Sequence, residues 1–252
     1  MSLGAKKKIH GAINQKTEPN HGEFYVSNRH CKNNSHVRHD CLIYKKCTYF
    51  FLFPQTRPIT PFSKMTKDIV SEIIDDHKII RNLAQRYENE NNTDERQKIA
   101  NTVIREIAVH SACEEINLYP AFERHFTNGK EIADHSREEH LQVKKDLYKL
   151  DSMKVTDNGY HELFGKMLKE LVHHIDEEES DFLPKFKETI SQNELESLGA
   201  SFAKTRVTAP THPHPSAPDK PPAESLAGMT ALPLDKTRDA VRDFVDTGRD
   251  KL

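Results

Sequence analysis

Six ionisable residues fall where the surrounding pattern calls for apolar ones. His77 lies between Ile73 and Ile80, in a segment whose apolar positions recur at helical spacing. His110 and Glu114 are four residues apart, as are His174 and Glu178, so each pair projects from one face of a helix. His140 interrupts a stripe made by Ala133, Val143 and Leu147. A buried ionisable group is costly unless it is paired or bound to a metal. Four imidazoles and two carboxylates turned towards one core therefore read as a metal donor set. Nitrogen-rich, with two carboxylates able to bridge, the set suits a pair of iron ions, with manganese or zinc as alternatives.

The six obey an internal repeat. DDHKII around His77 returns as EEHLQV around His140, 63 residues later (140 − 77). HSACEEINLYP from His110 returns as HIDEEESDFLP from His174, 64 residues later (174 − 110). Each His-x3-Glu pair precedes a proline, Pro120 or Pro184, at the same offset. Two copies of a helix hairpin, each contributing His plus His-x3-Glu, would meet about a pseudo-twofold axis. His173 is the substitute ligand if the fourth helix is rotated, and a surface residue otherwise. Glu115, Glu177 and Glu179 read as solvated acidic faces, and Cys113 as a small buried apolar residue. His125, His135, His161, His212 and His214 have no partner pattern and read as surface residues.

Helical periodicity places the elements that must carry this set. Four amphipathic helices are expected over about 66–87, from 94, over 131–150 and from 157, with Thr66 and Asp157 as caps and a short fifth helix near 193–202. Long helices with short connections favour an all-α fold, an antiparallel four-helix bundle. Charge divides the chain in three. Residues 1–65 hold 11 Lys/Arg and 3 Asp/Glu, residues 66–204 hold 19 and 29, and residues 205–252 hold seven of each. The expected organisation is a basic, disordered extension over 1–65, the bundle with its fifth helix over 66–204, and a Pro-rich tail over 205–252 ending in a short helix near 234–244. Cys31, His36, His39, Cys41 and Cys47 imitate a zinc site, but Cys-x9-Cys-x5-Cys fits no common template. Met65 opens the patterned region and is a candidate start. Hydrophobic residues are 35% of the chain and its mean hydropathy is −0.77, so part of it lies outside any core. No run approaches a membrane span and no leader is evident, which points to a cytoplasmic protein without a membrane partner. The acidic bundle and the lack of interleaved aromatics in the arm argue against nucleic acid.

The His, His-x3-Glu, His, His-x3-Glu pattern resembles the hemerythrin-like HHE cation-binding family over about 68–190, and PHPSAPDKPP resembles the C-terminal extensions of its fungal members. The resemblance implies a four-helix bundle holding a non-haem di-iron centre, two ions per chain, that binds oxygen or senses iron or oxygen. It carries the metal-ligand role onto His77, His110, Glu114, His140, His174 and Glu178. Oxygen-carrying members have a histidine four residues before the one matched by His140. Here that position is Ser136, and His135 is turned about 100° away on a helix. An open, labile centre follows, taking O2, NO or peroxide, or buffering iron, rather than a stable carrier. The alternatives are a ferritin-like di-iron oxidase or peroxidase, and a metal-free scaffold with a basic arm. An oxidase needs more carboxylates and Glu-x2-His pairs, so binding is favoured over enzymatic turnover.

Overall fold

Asp68 starts the first helix: its carboxylate accepts the Ser71 N–H at 2.8 Å, and α1 runs Ile69–Asn89. The computed structural model describes residues 67–249, all within the unit Pro58–Leu252. The unit Met1–Arg57 lies outside the described residues, as do Thr66, Met65 and the Cys/His set of the arm. Asn92 caps α2 (Thr93–Cys113), accepting from the N–H groups of Asp94 and Glu95. α2 continues through one widened turn, Glu114–Leu118, into α3 (Tyr119–His125). After α4 (Gly129–Asp151), the second hairpin repeats the design. α5 (Tyr160–Glu177) passes through a widened turn, Glu178–Phe182, into α6 (Leu183–Thr189). The described residues are helical with no strand, and none of these helices is long and apolar enough to cross a membrane.

The cap of α5 differs from the expected one for a local reason. Asp157 accepts the Lys154 N–H in the turn before α5, and the helix begins after Gly159. Gly159 has φ +81°, a left-handed conformation that glycine adopts without steric penalty. In both long arms the backbone bond after the ligand-position glutamate reaches five residues instead of four. The Tyr119 N–H donates to Glu114 O, and the Leu183 N–H to Glu178 O. Pro120 and Pro184 come one residue later, with no N–H for a regular ladder and a ring that clashes in one. The paired prolines explain why the turn widens twice.

α1 packs on α2, α4 on α5, α2 on α4, and α1 on α5, which closes the bundle. Its interior has two apolar ends. Ile69, Ile73, Phe122, Phe182, Phe186 and Phe202 belong to one end, Leu83, Tyr87, Val103, Leu147 and Phe164 to the other. Phe122 and Phe186, equivalent in the repeat, meet edge to face with centroids 5.0 Å apart. The belt of ionisable residues lies between these plugs along each helix, as the interrupted stripes require.

α7 (Gln192–Thr208) lies across α1 and α2, capped by Ser191, and runs six residues further than the short helix expected there. It crosses the start of α1 at Gly199, where a Cβ would stand 2.1 Å from the Lys67 carbonyl oxygen. Backbone cannot yield as a flexible side chain can. Gly199→Ala should therefore lower stability by about 1–3 kcal/mol in urea unfolding, despite alanine's better helix propensity. A gain would mean that α7 does not press on α1 this closely.

The region after α7 is not merely an extended tail. α8 (Ala223–Asp239) starts eleven residues earlier than the expected terminal helix, carries Pro233 within it and packs on α7. Residues beyond it return to the bundle, where the Val245 N–H donates to Thr102 Oγ1 at 2.9 Å. His212 is buried, not on the surface, between Asp151 (Nδ1–Oδ2 3.0 Å) and Asp239 (Nε2–Oδ1 3.2 Å). Arg242 donates to the Asp151 carbonyl at 2.9 Å. His214 reaches Asp235 at 3.1 Å. These polar contacts compensate burial of groups that composition alone assigned to solvent.

Candidate metal centre

His77 from α1, His110 from α2, His140 from α4 and His174 from α5 turn their Nε2 atoms towards one another in the polar belt. Glu114 and Glu178, each the first residue of a widened turn, lie among them. All six are buried, and the structure brings them together. Glu114 Oε2 is 3.1 Å from His110 Nε2 and 3.4 Å from His140 Nε2, while its Oε1 is 3.9 Å from His77 Nε2. Glu178 spans the other diagonal, 3.5 Å from His77 Nε2 through Oε2 and 3.5 Å from His174 Nε2 through Oε1. Each carboxylate thus touches both halves of the repeat. His77, His110 and Glu114 can enclose one cation; Glu114, His140 and His174 can enclose another.

The outward nitrogen of each ring faces a carboxylate. His77 Nδ1 donates to Glu179 at 2.9 Å, His140 Nδ1 to Glu115 at 2.9 Å, and His174 Nδ1 to Glu139 at 2.8 Å. Asp76 stands 3.6 Å from His110 Nδ1, a longer approach, its oxygens being engaged by Arg206 and Arg249. Two of these clamps stay within a hairpin, Asp76 with His110 and Glu139 with His174. The other two cross between hairpins, Glu179 with His77 and Glu115 with His140. In a neutral ring, the form that ligates a metal, a proton held at Nδ1 leaves Nε2 as a lone pair pointing inward. Glu115 and Glu179 are therefore not solvated faces: Glu115 is fully buried and also receives Lys144 at 2.5 Å.

Five of the inward atoms lack partners. His77 Nε2, His110 Nε2, both Glu114 oxygens and Glu178 Oε2 are buried with no hydrogen-bond partner. Buried polar atoms in native proteins are nearly always paired, and acceptors facing acceptors repel. The electrostatics reflect this strain. Burial and the adjacent Glu178 push the Glu114 carboxyl well above its usual range. Burial pulls Glu178 the same way, but the protonated rings of His174 and His77, whose own pKa values the facing carboxylates raise against burial, outweigh it and hold it low. Burial depresses His110 to about 4, with Asp76 opposing. Glu115, despite its burial, is drawn down to about 2 by Lys144 and His140. Cations between the inward donors would satisfy the whole set at once, so the residues present fit a metal pair.

Tyr119 was invisible to the repeat, because its equivalent 64 residues on is Leu183. Its hydroxyl lies 2.9 Å from His140 Nε2, 3.5 Å from His174 Nε2 and 3.4 Å from Glu178 Oε1. It stands in the half of the site where Ser136, buried on α4, supplies no imidazole. Burial, reinforced by the Glu178 and Glu114 charges, raises the phenol well above its usual range, so it remains a proton donor. His173 is exposed and outside the set, and Cys113 is a buried thiol whose Sγ approaches the Phe202 carbonyl at 3.9 Å.

Comparison with known proteins agrees with the geometry. The hemerythrin HHE cation-binding domain matches residues 68–186. A hemerythrin-like protein of Schizosaccharomyces pombe is 40% identical over 182 residues, covering 72% of this chain and 89% of that protein. A solved structure, a hemerythrin HHE cation-binding domain-containing protein from Mycobacterium kansasii, is 25% identical, with a TM-score of 0.49 over 56% of this chain and 86% of that one. With the inward histidines, their matched glutamates and a relative of this length and identity, the chain belongs to the hemerythrin HHE cation-binding domain family.

Proposed function

We propose that the chain is a non-haem di-iron protein, with His77, His110, Glu114, His140, His174 and Glu178 as metal ligands, that takes O2, NO or peroxide or buffers iron. The observation that carries this reading is the convergence of buried Nε2 and carboxylate atoms, five of them without a hydrogen-bond partner, with the outward nitrogens facing carboxylates. Without cations those atoms can be satisfied only by protons held inside the buried set, which disfavours a metal-free scaffold. Iron bound there would supply reversible electron chemistry and open coordination positions for a small ligand. The protein's own contribution is orientation by the outer carboxylates, exclusion of water by the two apolar plugs, and a neutral donor at Tyr119 Oη. Histidine outnumbers carboxylate among the inward groups, which favours ligand binding over strongly oxidising turnover. The acidic bundle disfavours nucleic acid as a partner.

Elemental analysis of the full chain from iron-replete cells should find about two irons per chain, in line with di-iron bundles. The reduced protein mixed with air should oxidise quickly and release iron to a chelator. One zinc and no iron would overturn the metal assignment, and a long-lived reversible oxy-spectrum would overturn the labile reading.

A further inference from the structure

The repeat sets two carboxylate niches behind the centre, and only one of them is filled. Asp76, which backs His110, and Glu72, one turn earlier on α1, receive the Arg206 guanidinium at 2.9 and 3.0 Å. Adding the repeat offset of 63 residues to 72 and 76 gives His135 and Glu139 on α4. There no lysine or arginine among the described residues pairs with the niche. Instead Glu177 joins it from α5. His135 Nε2 lies 3.7 Å from Glu139 Oε1 and 3.5 Å from Glu177 Oε2. Those separations exceed an N–H···O bond of about 2.7–3.2 Å. They match the edge of a tetrahedron about a metal with bonds near 2.1 Å, which is about 3.4 Å. His135 and Glu139, four apart on one helix, make a chelating pair, and the three donor atoms lie within 4.8 Å of one another.

We propose that His135, Glu139 and Glu177 form a surface site for one divalent transition-metal ion, separate from the buried centre and joined to it through Glu139. One imidazole and two carboxylates leave a fourth position for water, the composition of an open zinc or ferrous site. His135 is half exposed, so a hydrated ion reaches it from solvent without opening the bundle. Glu139 Oε1 faces this ion while Oε2 accepts from His174 Nδ1, so its carboxylate links surface occupancy to a buried imidazole. In the other half Arg206 supplies the positive charge that the ion supplies here.

The test is calorimetric titration of Zn(II) into the full-length protein, beside the double variant His135→Ala/Glu177→Gln. Neither substituted residue is among the ligands of the buried centre. Wild type should bind one zinc more than the variant, whatever metal fills that centre, with iron content and thermal melting equal in the two proteins. Absence of iron from both proteins with the one-zinc difference intact would count against the di-iron reading and leave the surface site standing. A second variant, His135→Arg, places a guanidinium between the carboxylates as Arg206 does in the other niche, and should abolish the same zinc. Equal zinc stoichiometry in wild type and the variants overturns the proposal.

Discussion

Glu114→Gln should reduce bound iron from about two per chain to nearly none, while leaving the metal-free protein as stable as the parent or more so. Glu114 is the donor common to both candidate cation sets, so its loss should not spare either half. Glutamine keeps the size of the side chain but removes the charge and most of the bridging capacity. In the metal-free protein Glu114 is a liability: it is buried against Glu178 and its oxygens have no partner. Glutamine is neutral without having to hold a proton there, which removes that cost. The opposite signs are the diagnostic, since a merely structural glutamate would lose stability and metal together. Iron analysis and thermal melting of metal-free samples check both. Retention of wild-type iron would remove Glu114 from the ligand set.

Asp76→Ala should cost about 3–5 kcal/mol, because it leaves buried or half-buried charges uncompensated. Asp76 is almost wholly buried and receives Arg206 at 2.9 and 3.0 Å together with Arg249, and it faces His110. Burial opposes its ionisation, but His110 and the two guanidinium groups hold its carboxyl far below the usual range. The same substitution should weaken iron binding about 10–100-fold, the usual effect of losing a carboxylate behind a ligating histidine. Its neighbour Asp75 pairs with Lys67 and Lys78 at the surface, and Asp75→Ala should change stability by about 0–1 kcal/mol. Urea unfolding of both variants, with iron affinity measured by chelator competition, decides it. Similar costs for the two would show that Asp76 is not the joint between the C-terminal residues and the centre.

The bundle and its inward groups were legible because six polar residues broke otherwise apolar helical stripes at repeat spacing. What supports them was harder to read. Glu115 and Glu179 looked like acidic runs, since a carboxylate one residue past Glu114 or Glu178 points off the stripe. The wide turns swing that next position onto a histidine of the opposite hairpin. The signal was present: an acidic residue precedes each lone histidine (Asp76, Glu139) and follows each paired glutamate (Glu115, Glu179). Pro120 and Pro184 likewise marked the wide turns. Tyr119 left no trace because it breaks the repeat, and periodicity cannot reveal a residue that occurs once. The C-terminal region misled for another reason. Its prolines suppress helical pattern, and Asp151 and Asp239 enclose the buried His212, and Asp235 holds the half-buried His214, through contacts distant in sequence.

The clamps that cross between hairpins, Glu179 on His77 and Glu115 on His140, bear on how the protein assembles. Neither hairpin carries its own complete set of oriented imidazoles: each must borrow a carboxylate from the other to aim its first histidine. A half-molecule, although it encodes His plus His-x3-Glu, would present one aimed ring and one free to rotate. Metal capture and the closing of α1–α2 upon α4–α5 would thereby be coupled. Binding energy released inside the belt would add to adhesion along the seam between the hairpins. The duplicated motif thus behaves as two interdependent jaws rather than two independent binding units.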